Sequence, residues 1–297
     1  MQRFKIAPGG PEVSAIAYGV WRLAEDSQGS ATARVRRKID ACLEVGITTF
    51  DHADIYGDYT CEGLFGAALA EVPSLREQME IVTKCGIKAP CDALPDTEVK
   101  HYAATADWIA HSVDRSLSEL NTDYIDLLLI HRPDWLTSAE ETAAGLKAVM
   151  ASGKVRSVGV SNYSTHQFAL LDKYLDGQLA TNQVELSLMH MDAITDGTLD
   201  QCQASGAHPM AWSPLAGGAL FEHTALNNAL EEMSGDYGVT AEQLALAWVA
   251  QLPSNPQVII GTNQVERIRA AAESTAITLT RQDWYKLWVA AQGRDIP

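Results

Sequence analysis

Four residues with acid–base side chains follow three short apolar segments of the chain. Asp51 and Tyr56 follow the first segment, Lys84 the second and His131 the third. A tyrosine alone has a pKa of about 10, but a nearby ammonium lowers that pKa, and a carboxylate orients the ammonium. A histidine beside the phenol can hydrogen-bond a carbonyl oxygen. Such a set is suited to exchanging a proton with an oxygen whose carbon gains or loses a hydride.

The stretch FDHADIYGDY, residues 50–59, also resembles a metal-binding cluster, because barrel hydrolases use His and Asp at strand ends. The histidine pair typical of the first strand of such sites is absent, and Lys84 would place an unneeded cation among the ligands. We therefore expect no metal. His52 and Asp54 are assigned to supporting or loop roles, and Tyr59 to the surface or the rim of the pocket.

Eight β-rich segments alternate along the chain with segments of helical period. In the first helical segment, Val35, Ile39 and Cys42 fall on one face. Two capping boxes, Ser164 with Gln167 and Thr240 with Gln243, mark helix starts. The predicted strands are Ser14–Tyr18, Thr48–Phe50, Glu80–Thr83, Tyr124–Ile130, Val155–Val160, Ala180–Val184, Met210–Trp212 and Gln257–Ile260.

Eight β/α units without an internal linker predict one α/β domain over residues 1–297, a (β/α)8 TIM barrel. A doubly wound sheet is disfavoured because the G-x-G-x-x-G fingerprint is absent. A β-hairpin around PGGP, residues 8–11, is expected before the barrel, and an extra helix containing Trp284 and Trp288 after it. Barrel active sites lie at the C-terminal strand ends, so the four acid–base residues are expected to meet there.

The composition limits the partners and the compartment. The chain has 22 Lys and Arg against 38 Asp and Glu, a net charge of −16, which disfavours nucleic acid and membrane surfaces as partners. Five cysteines without a C-x-x-C spacing fit a reducing environment. No signal peptide or long apolar run is evident, so we expect a cytoplasmic protein.

Ordered motifs over nearly the whole chain resemble those of the aldo-keto reductase family, and within it a bacterial YdhF-like branch. The family implies the reduction of an aldehyde or ketone carbonyl. By this resemblance Tyr56 is the general acid, Lys84 lowers its pKa, Asp51 pairs with Lys84, and His131 orients the carbonyl. The matching motifs are TTFDHADIYG, VTKCG, IDLLLIHRPD, GKVRSVGVSNYS, NQVELS, AWSPLAGG and VIIGTNQVERIRAA.

The resemblance also implies a nicotinamide cofactor held without a Rossmann unit. Ser161, Asn162 and Gln183 match the residues that hold the carboxamide, whose donors and acceptor suit such side chains. Trp212 matches the position of a ring that stacks on the nicotinamide. The full implied set is Gly19, Val20, Trp21, Asp51, Ser161, Asn162, Gln183, Trp212, Ser213, Pro214, Leu215, Gly217, Gly261, Thr262 and Arg267.

The residues after the last predicted strand bear on the choice between NADP(H) and NAD(H). Arg267 matches an arginine that grips the adenosine 2′-phosphate, Thr262 adds a hydroxyl, and a helix N-terminus favours phosphate. NADP(H) is therefore expected. Gly261 and Ala271 stand where strong binders of this phosphate carry lysine and asparagine, so NAD(H) use stays open.

A second function remains open beside carbonyl reduction. The chain could be a cofactor-binding regulatory protein, as are the potassium-channel β-subunits that resemble this family. The absence of an N-terminal docking segment in the sequence disfavours that alternative. The short loop HRPDWLTSAEE, residues 131–141, predicts an open pocket for a small-molecule carbonyl substrate. The physiological substrate and the oligomeric state are left open.

Overall fold

Residues 1–296 are described by a computed structural model, in which eight parallel strands close into a barrel, as predicted. The chain has twelve strands over residues 1–296: β1 (Arg3–Lys5), β2 (Glu12–Ser14), β3 (Ile16–Gly19), β4 (Thr49–Asp51), β5 (Glu80–Cys85), β6 (Ile87–Lys88), β7 (His101–Tyr102), β8 (Leu127–Ile130), β9 (Val158–Ser161), β10 (Leu179–Glu185), β11 (Met210–Trp212) and β12 (Gln257–Ile260). The barrel consists of β3, β4, β5 and β8 to β12. Each barrel strand pairs with the next barrel strand along the chain, and β12 pairs with β3.

The predicted strand Tyr124–Ile130 begins later, at Leu127, because side chains take the hydrogen bonds at its start. The Ile81 amide donates to the Asp126 carboxylate (2.9 Å), and the guanidinium of Arg76 donates to the Tyr124 carbonyl (2.9 Å). The Arg76 guanidinium also forms a buried ion pair with Asp126 (2.6 Å). This ion pair lies at the end of the barrel opposite to the strand ends that carry the candidate site.

Helices follow the strands and cover the outside of the barrel. Both predicted capping boxes are confirmed, at Ser164 and at Thr240. The helices are α1 (Thr32–Glu44), α2 (Tyr56–Tyr59), α3 (Cys61–Glu71), α4 (Ala106–Glu119), α5 (Ala139–Ala151), α6 (Thr165–Tyr174), α7 (Asp192–Thr195), α8 (Thr198–Ser205), α9 (Thr224–Tyr237), α10 (Ala241–Ala250), α11 (Val265–Glu273) and α12 (Arg281–Gln292).

The extra C-terminal helix, α12, is held by a pair of tryptophans. The rings of Trp284 and Trp248 stack with centroids 4.6 Å apart and planes 7° apart. Each indole N–H donates to the main-chain oxygen of the other residue at 3.0 Å. Because Trp248 is fully buried, this contact fixes α12 against α10.

Two β-hairpins lie outside the barrel. The predicted N-terminal hairpin is present as β1 and β2, and it buries Ile6 and Val13 against the barrel interior. The second hairpin, β6 with β7, occupies the loop after β5 to which the sequence assigned no structure. Over residues 1–296, no helix has both the length and the apolar character needed to span a membrane.

Candidate active site

Three of the four predicted acid–base residues form one hydrogen-bonded chain at the C-terminal end of the barrel. The Lys84 ammonium lies 2.8 Å from an Asp51 carboxylate oxygen and 3.1 Å from the Tyr56 hydroxyl. The same ammonium donates to the His52 carbonyl at 2.7 Å, so its three protons all have acceptors. Asp51 ends β4 and Lys84 lies near the end of β5, and these two strands are neighbours in the barrel.

His131 lies on the other side of Tyr56. The two rings meet edge to face, with centroids 5.8 Å apart. The His131 amide donates to the Cys85 carbonyl (2.8 Å), which continues the pairing of β5 with β8 and fixes the residue one step beyond the strand. The structure therefore brings all four residues together around the Tyr56 phenol.

Tyr56 reaches this position through a tight reversal of the chain. Gly57, Asp58 and Tyr59 have φ values of 60°, 54° and 68°, in the left-handed region that favours glycine. The Thr60 hydroxyl donates to the Gly57 carbonyl at 2.6 Å and closes the turn. The chain therefore reverses between Tyr56 and the start of α3 at Cys61.

The pKa of Tyr56 differs from the expectation that the neighbouring Lys84 ammonium lowers it. Burial raises the pKa of the Tyr56 phenol, and Lys84 only partly counters this effect. Burial also opposes the charge of Lys84, but Asp51 and Tyr56 outweigh it, so the pKa of Lys84 is raised. At neutral pH the lysine is charged and the phenol keeps its proton.

His131 is held in its neutral form. Burial, together with the positive charges of Lys84 and Arg132, moves its pKa well below the ordinary value. Its Nδ1 has no hydrogen-bond partner within residues 1–296. A neutral imidazole keeps one N–H that can be donated to a ligand oxygen.

Three polar residues of the same stretch point away from the phenol. His52 is fully buried with its ring edge to face on Phe65 (4.5 Å), and burial lowers its pKa to about 3. Asp54 is also buried, and burial raises its pKa well above the ordinary value. The assignment of Tyr59 to the surface or rim was wrong: it is 5% exposed and its hydroxyl donates to the Ile87 carbonyl (2.9 Å).

Glu62 is a buried carboxyl behind the site that the sequence did not single out. It accepts hydrogen bonds from the hydroxyls of Thr83 (2.6 Å) and Ser116 (2.9 Å). Burial raises its pKa to about 7. One sequence signal could have revealed its burial. Glu62 lies on α3 three residues before the buried Phe65, so both residues are on the helix face that is turned to the barrel.

The residues expected at the carboxamide are hydrogen-bonded to one another and to Asp51. Gln183 donates its amide N–H to an Asp51 oxygen (2.8 Å), and the Ser161 hydroxyl donates to the Gln183 carbonyl (2.9 Å). Asn162 donates to the Ser161 hydroxyl (2.7 Å) and accepts the Trp212 indole N–H (3.1 Å). The amide oxygen of Gln183 has no hydrogen bond within residues 1–296.

The segments after β3 and β11 lie around the opening at the C-terminal end of the barrel. Gly19 lies beside Asp51, since a Cβ at residue 19 would be 4.0 Å from its carboxylate. Trp21 is 54% exposed at the mouth. The Val20 side chain is fully buried in the core, which leaves its main chain to face a ligand. After β11, Ser213 has positive φ.

The rest of the β11 segment turns sharply over the barrel. Gly217 and Gly218 have φ values of 68° and 104°, and a Cβ at Gly218 would meet nothing within 4 Å. Pro214 is buried and Leu215 is partly buried, so the main chain of this turn is what a ligand could approach.

The start of α11 offers unpaired backbone donors. Its N-cap, Gln264, makes no side-chain cap hydrogen bond, which leaves the first amides of the helix for a ligand or solvent. Gly261 and Arg267 are exposed there, and Thr262 is partly exposed. Arg269 points elsewhere and pairs with Glu44 at 2.8 Å.

A metal site in the stretch 50–59 would need several His, Cys, Asp or Glu side chains facing one point. Residues 1–296 contain no group of three or more His, Cys, Asp or Glu side chains arranged to hold a metal ion. The Asp51 carboxylate is instead occupied by Lys84 and Gln183.

Comparisons with known proteins agree with the barrel fold. Two curated bacterial proteins are similar over nearly their whole length. A 6-dehydroglucose reductase of Agrobacterium fabrum is 47% identical, with 96% of each chain covered. Oxidoreductase YdhF of Escherichia coli is 46% identical, with 100% of each chain covered.

A solved structure is similar at lower identity. An aldo/keto reductase of Klebsiella pneumoniae in complex with NADP and acetate superposes with a TM-score of 0.76 at 29% identity, covering 96% of this chain and 94% of that one. The model of the Aldo/keto reductase family matches residues 15–288, and with these relatives it shows that the chain belongs to that family, in its YdhF-like branch.

Proposed function

We propose that this protein is an NADP(H)-dependent reductase that converts the carbonyl of an aldehyde or ketone to an alcohol. The observation that carries the proposal is the buried chain from Asp51 through Lys84 to the Tyr56 hydroxyl, with neutral His131 beside it. A phenol that keeps its proton next to a permanent cation is a proton donor whose conjugate base is already stabilised.

The residues present suit a nicotinamide dinucleotide. The unpaired amide oxygen of Gln183 can accept a carboxamide N–H, and the Ser161 hydroxyl, whose proton is donated to the Gln183 main-chain oxygen, can accept beside it. The glycine turn at 217–218 allows close approach of a pyrophosphate, and the uncapped start of α11 suits a phosphate. Trp212, beside Asn162, would line the nicotinamide.

The bound cofactor would supply the hydride that adds to the carbonyl carbon. His131 donates its N–H to the carbonyl oxygen and holds the carbonyl in place. Tyr56 then transfers its hydroxyl proton to that oxygen as it becomes an alkoxide, and the Lys84 ammonium stabilises the phenolate that remains. Asp51 keeps Lys84 charged and aimed at the phenol, while Gln183 holds the second Asp51 oxygen.

We propose NADP(H) ahead of NAD(H). Arg267 lies exposed at the start of α11, where it can pair with a 2′-phosphate, and Thr262 can donate its hydroxyl. Gly261 offers no cation at the position before Thr262, so NAD(H) should be used less well but measurably.

A small polar aldehyde is the substrate class that the mouth suits best. Trp21 and Trp135 are 54% and 77% exposed there, and Arg132 lies over the Trp212 ring with its guanidinium carbon 6.0 Å from the centroid. Exposed rings and a cation suit a hydroxylated substrate. Because a 47%-identical relative is named for 6-dehydroglucose, that sugar aldehyde is the first substrate to test.

We also propose that the protein works in the cytoplasm. All five cysteines are free thiols, and four of them are buried, which fits a reducing compartment in which NADPH is available.

The test is NADPH and NADH oxidation with a panel of aldehydes and ketones that includes 6-dehydroglucose. The proposal expects turnover that is faster at low NADPH than at low NADH. Cofactor binding without turnover of any panel member would contradict the enzyme and favour a regulatory role. Loss of activity on chelation, restored by zinc, would contradict the metal-free mechanism.

A further inference from the structure

The segment between β3 and α1 leaves the C-terminal end of the barrel and carries Trp21 and Arg22 at the mouth of the candidate site. Between residues 21 and 30, only Leu23 and Asp26 are buried. The position of this segment therefore depends on a small number of anchoring contacts.

Asp26 is anchored by two cations from α1. Its carboxylate lies 2.5 Å from the Arg34 Nε and 2.5 Å from the Lys38 Nζ. The side chains of Asp26 and Lys38 are 2% and 1% exposed, so this pair is almost fully removed from water. Although burial opposes its charge, the hydrogen bonds from Arg34 and Lys38 hold the pKa of Asp26 well below its usual range.

Lys38 has a second partner on the other side of the mouth. Its ammonium donates to the Asn263 side-chain oxygen at 2.8 Å, and the Asn263 amide donates to the Arg22 carbonyl at 2.7 Å. Arg34 donates to the Asn263 main-chain oxygen at 3.4 Å. Asn263 directly follows Thr262, so these bonds join the 21–30 segment to the loop before α11.

A buried ion pair contributes little net stability, because desolvation offsets much of the attraction between its charges. Its geometry is nevertheless restrictive, since displacement of either loop would leave a buried charge without a partner. The Asp26–Lys38–Asn263 contacts are therefore suited to orienting the two loops relative to each other.

We propose that Asp26, Lys38 and Asn263 form a clamp that makes the 21–30 segment and the 261–264 loop move as one unit. Binding of the adenosine phosphates at the 261–264 loop would then hold Trp21 and Arg22 in place at the substrate mouth. The three residues are positioning residues, and the inference rests on the proposed function for the cofactor site itself.

The test uses adenosine 2′,5′-bisphosphate, a fragment that lacks the nicotinamide half of NADP. Hydrogen–deuterium exchange is followed by mass spectrometry in peptides covering 21–30 and 261–267, and the fragment's affinity is measured by calorimetry. In the unsubstituted protein the clamp predicts slower exchange in both peptides when the fragment is bound.

Asn263→Ala is the main variant, because it removes both side-chain links across the mouth and leaves only the long bond from Arg34 to the main chain of residue 263 (3.4 Å), while Lys38 keeps Asp26 as its partner. The fragment should still slow exchange in 261–267 but no longer in 21–30. NADPH should bind about 5-fold more weakly or worse, as expected when the coupling between two sites is lost. Lys38→Met should weaken the coupling only in part, because the bond from Asn263 to the Arg22 carbonyl remains, and it should cause a larger loss of thermal stability.

Arg76→Met is the matched control, since it breaks a buried ion pair with Asp126 at the opposite end of the barrel. It should lower thermal stability and leave the response of both peptides unchanged. Protection of 21–30 that persists in Asn263→Ala, or that is equally lost in Arg76→Met, would overturn the clamp. A fragment that does not bind the unsubstituted protein would overturn the cofactor site, and the clamp with it.

Discussion

At the scale of single residues, the site depends on the protonation states of two neighbours. Burial raises the pKa of Tyr56, and Lys84 only partly offsets that effect, so the phenol carries its proton at pH 7. Lys84 remains a cation because Asp51 and Tyr56 outweigh its burial. The ligand-free site is therefore ready for proton donation, the direction needed for carbonyl reduction.

The Tyr56→Phe substitution removes the proposed proton donor and leaves the Asp51–Lys84 pair intact. Carbonyl reduction should slow by about 10²- to 10⁴-fold, the usual contribution of a general acid, while NADPH binding by fluorescence quenching is retained. Tyr59→Phe is the matched control, because it removes a nearby buried hydroxyl that donates to the Ile87 carbonyl and not to Lys84 or Asp51. That variant should lose about 1 kcal/mol of stability and keep its rate; equal loss of activity in both variants would argue against the role of Tyr56.

Glu62 should make the folding stability depend on pH. Its pKa is about 7 in the folded protein and 4.5 ordinarily, so the folded state holds the proton over that interval while the unfolded chain releases it. Its contribution to stability is therefore fully present below about pH 4.5 and is lost as the pH rises to 7, a loss of about 3 kcal/mol.

Glu62→Gln should abolish this contribution. Urea unfolding at several pH values would then show a difference in stability between the two proteins that favours the variant increasingly from pH 5 to pH 7 and levels off above. A difference that does not vary with pH would show that Glu62 is not the titrating group.

The four acid–base residues could be predicted because the strand-end rule needs only the end of each strand. Tyr59 was misplaced and Glu62 was not singled out, since their burial depends on how α3 and α4 pack; for Glu62 the local signal is its spacing of three residues from Phe65. For Tyr59 the left-handed turn at 57–59 turns the ring inward under Arg115, whose guanidinium carbon lies 4.4 Å from the ring centroid.

At the scale of elements, the approach of α3 to the end of α4 depends on one glycine. A Cβ at Gly66 would overlap the Glu119 carbonyl oxygen and lie 2.8 Å from the Leu120 Cα, and neither is a side-chain atom that can move aside. Helices can come this close only where no side chain intervenes.

Gly66→Ala should therefore destabilise the protein by about 3 kcal/mol or more, as overpacking against backbone does. Gly235→Ala in α9 is the matched control, because a Cβ there meets nothing within 4 Å and alanine is the better helix former, which stabilises by about 1 kcal/mol. Thermal unfolding of both variants tests this pair; a Gly66→Ala protein as stable as the unsubstituted one would contradict the close packing.

All eight barrel strands and both capping boxes were predicted because short β-rich runs and cap residues are local signals. The predicted bounds of the strands were less accurate. At the start of β8, the side chains of Asp126 and Arg76 form hydrogen bonds with main-chain groups of Ile81 and Tyr124, and such contacts between residues distant in sequence are not visible in a local pattern. The β6–β7 hairpin was not predicted, because its strands are two residues each and carry no alternation.

At the scale of the whole molecule, the closed barrel places around one opening the segments of six strand ends that we propose to contact the cofactor. A ligand that binds only the folded barrel must raise its apparent stability. At 100 times its dissociation constant, NADPH should add about 2.7 kcal/mol to the free energy of unfolding. Thermal unfolding with graded NADPH and NADH measures this gain, and an NADH effect equal to that of NADPH at the same low concentration would contradict the role given to Arg267.

The most direct test of the central claim follows the hydride and the proton donor together. NADPH deuterated at both C4 positions is incubated with 6-dehydroglucose or the best aldehyde of the panel, and the product alcohol is examined by mass spectrometry. We predict one deuterium on the former carbonyl carbon with the unsubstituted protein, and a rate reduced by about 10²-fold or more with Tyr56→Phe. An alcohol without deuterium, or equal rates in the two proteins, would contradict the account.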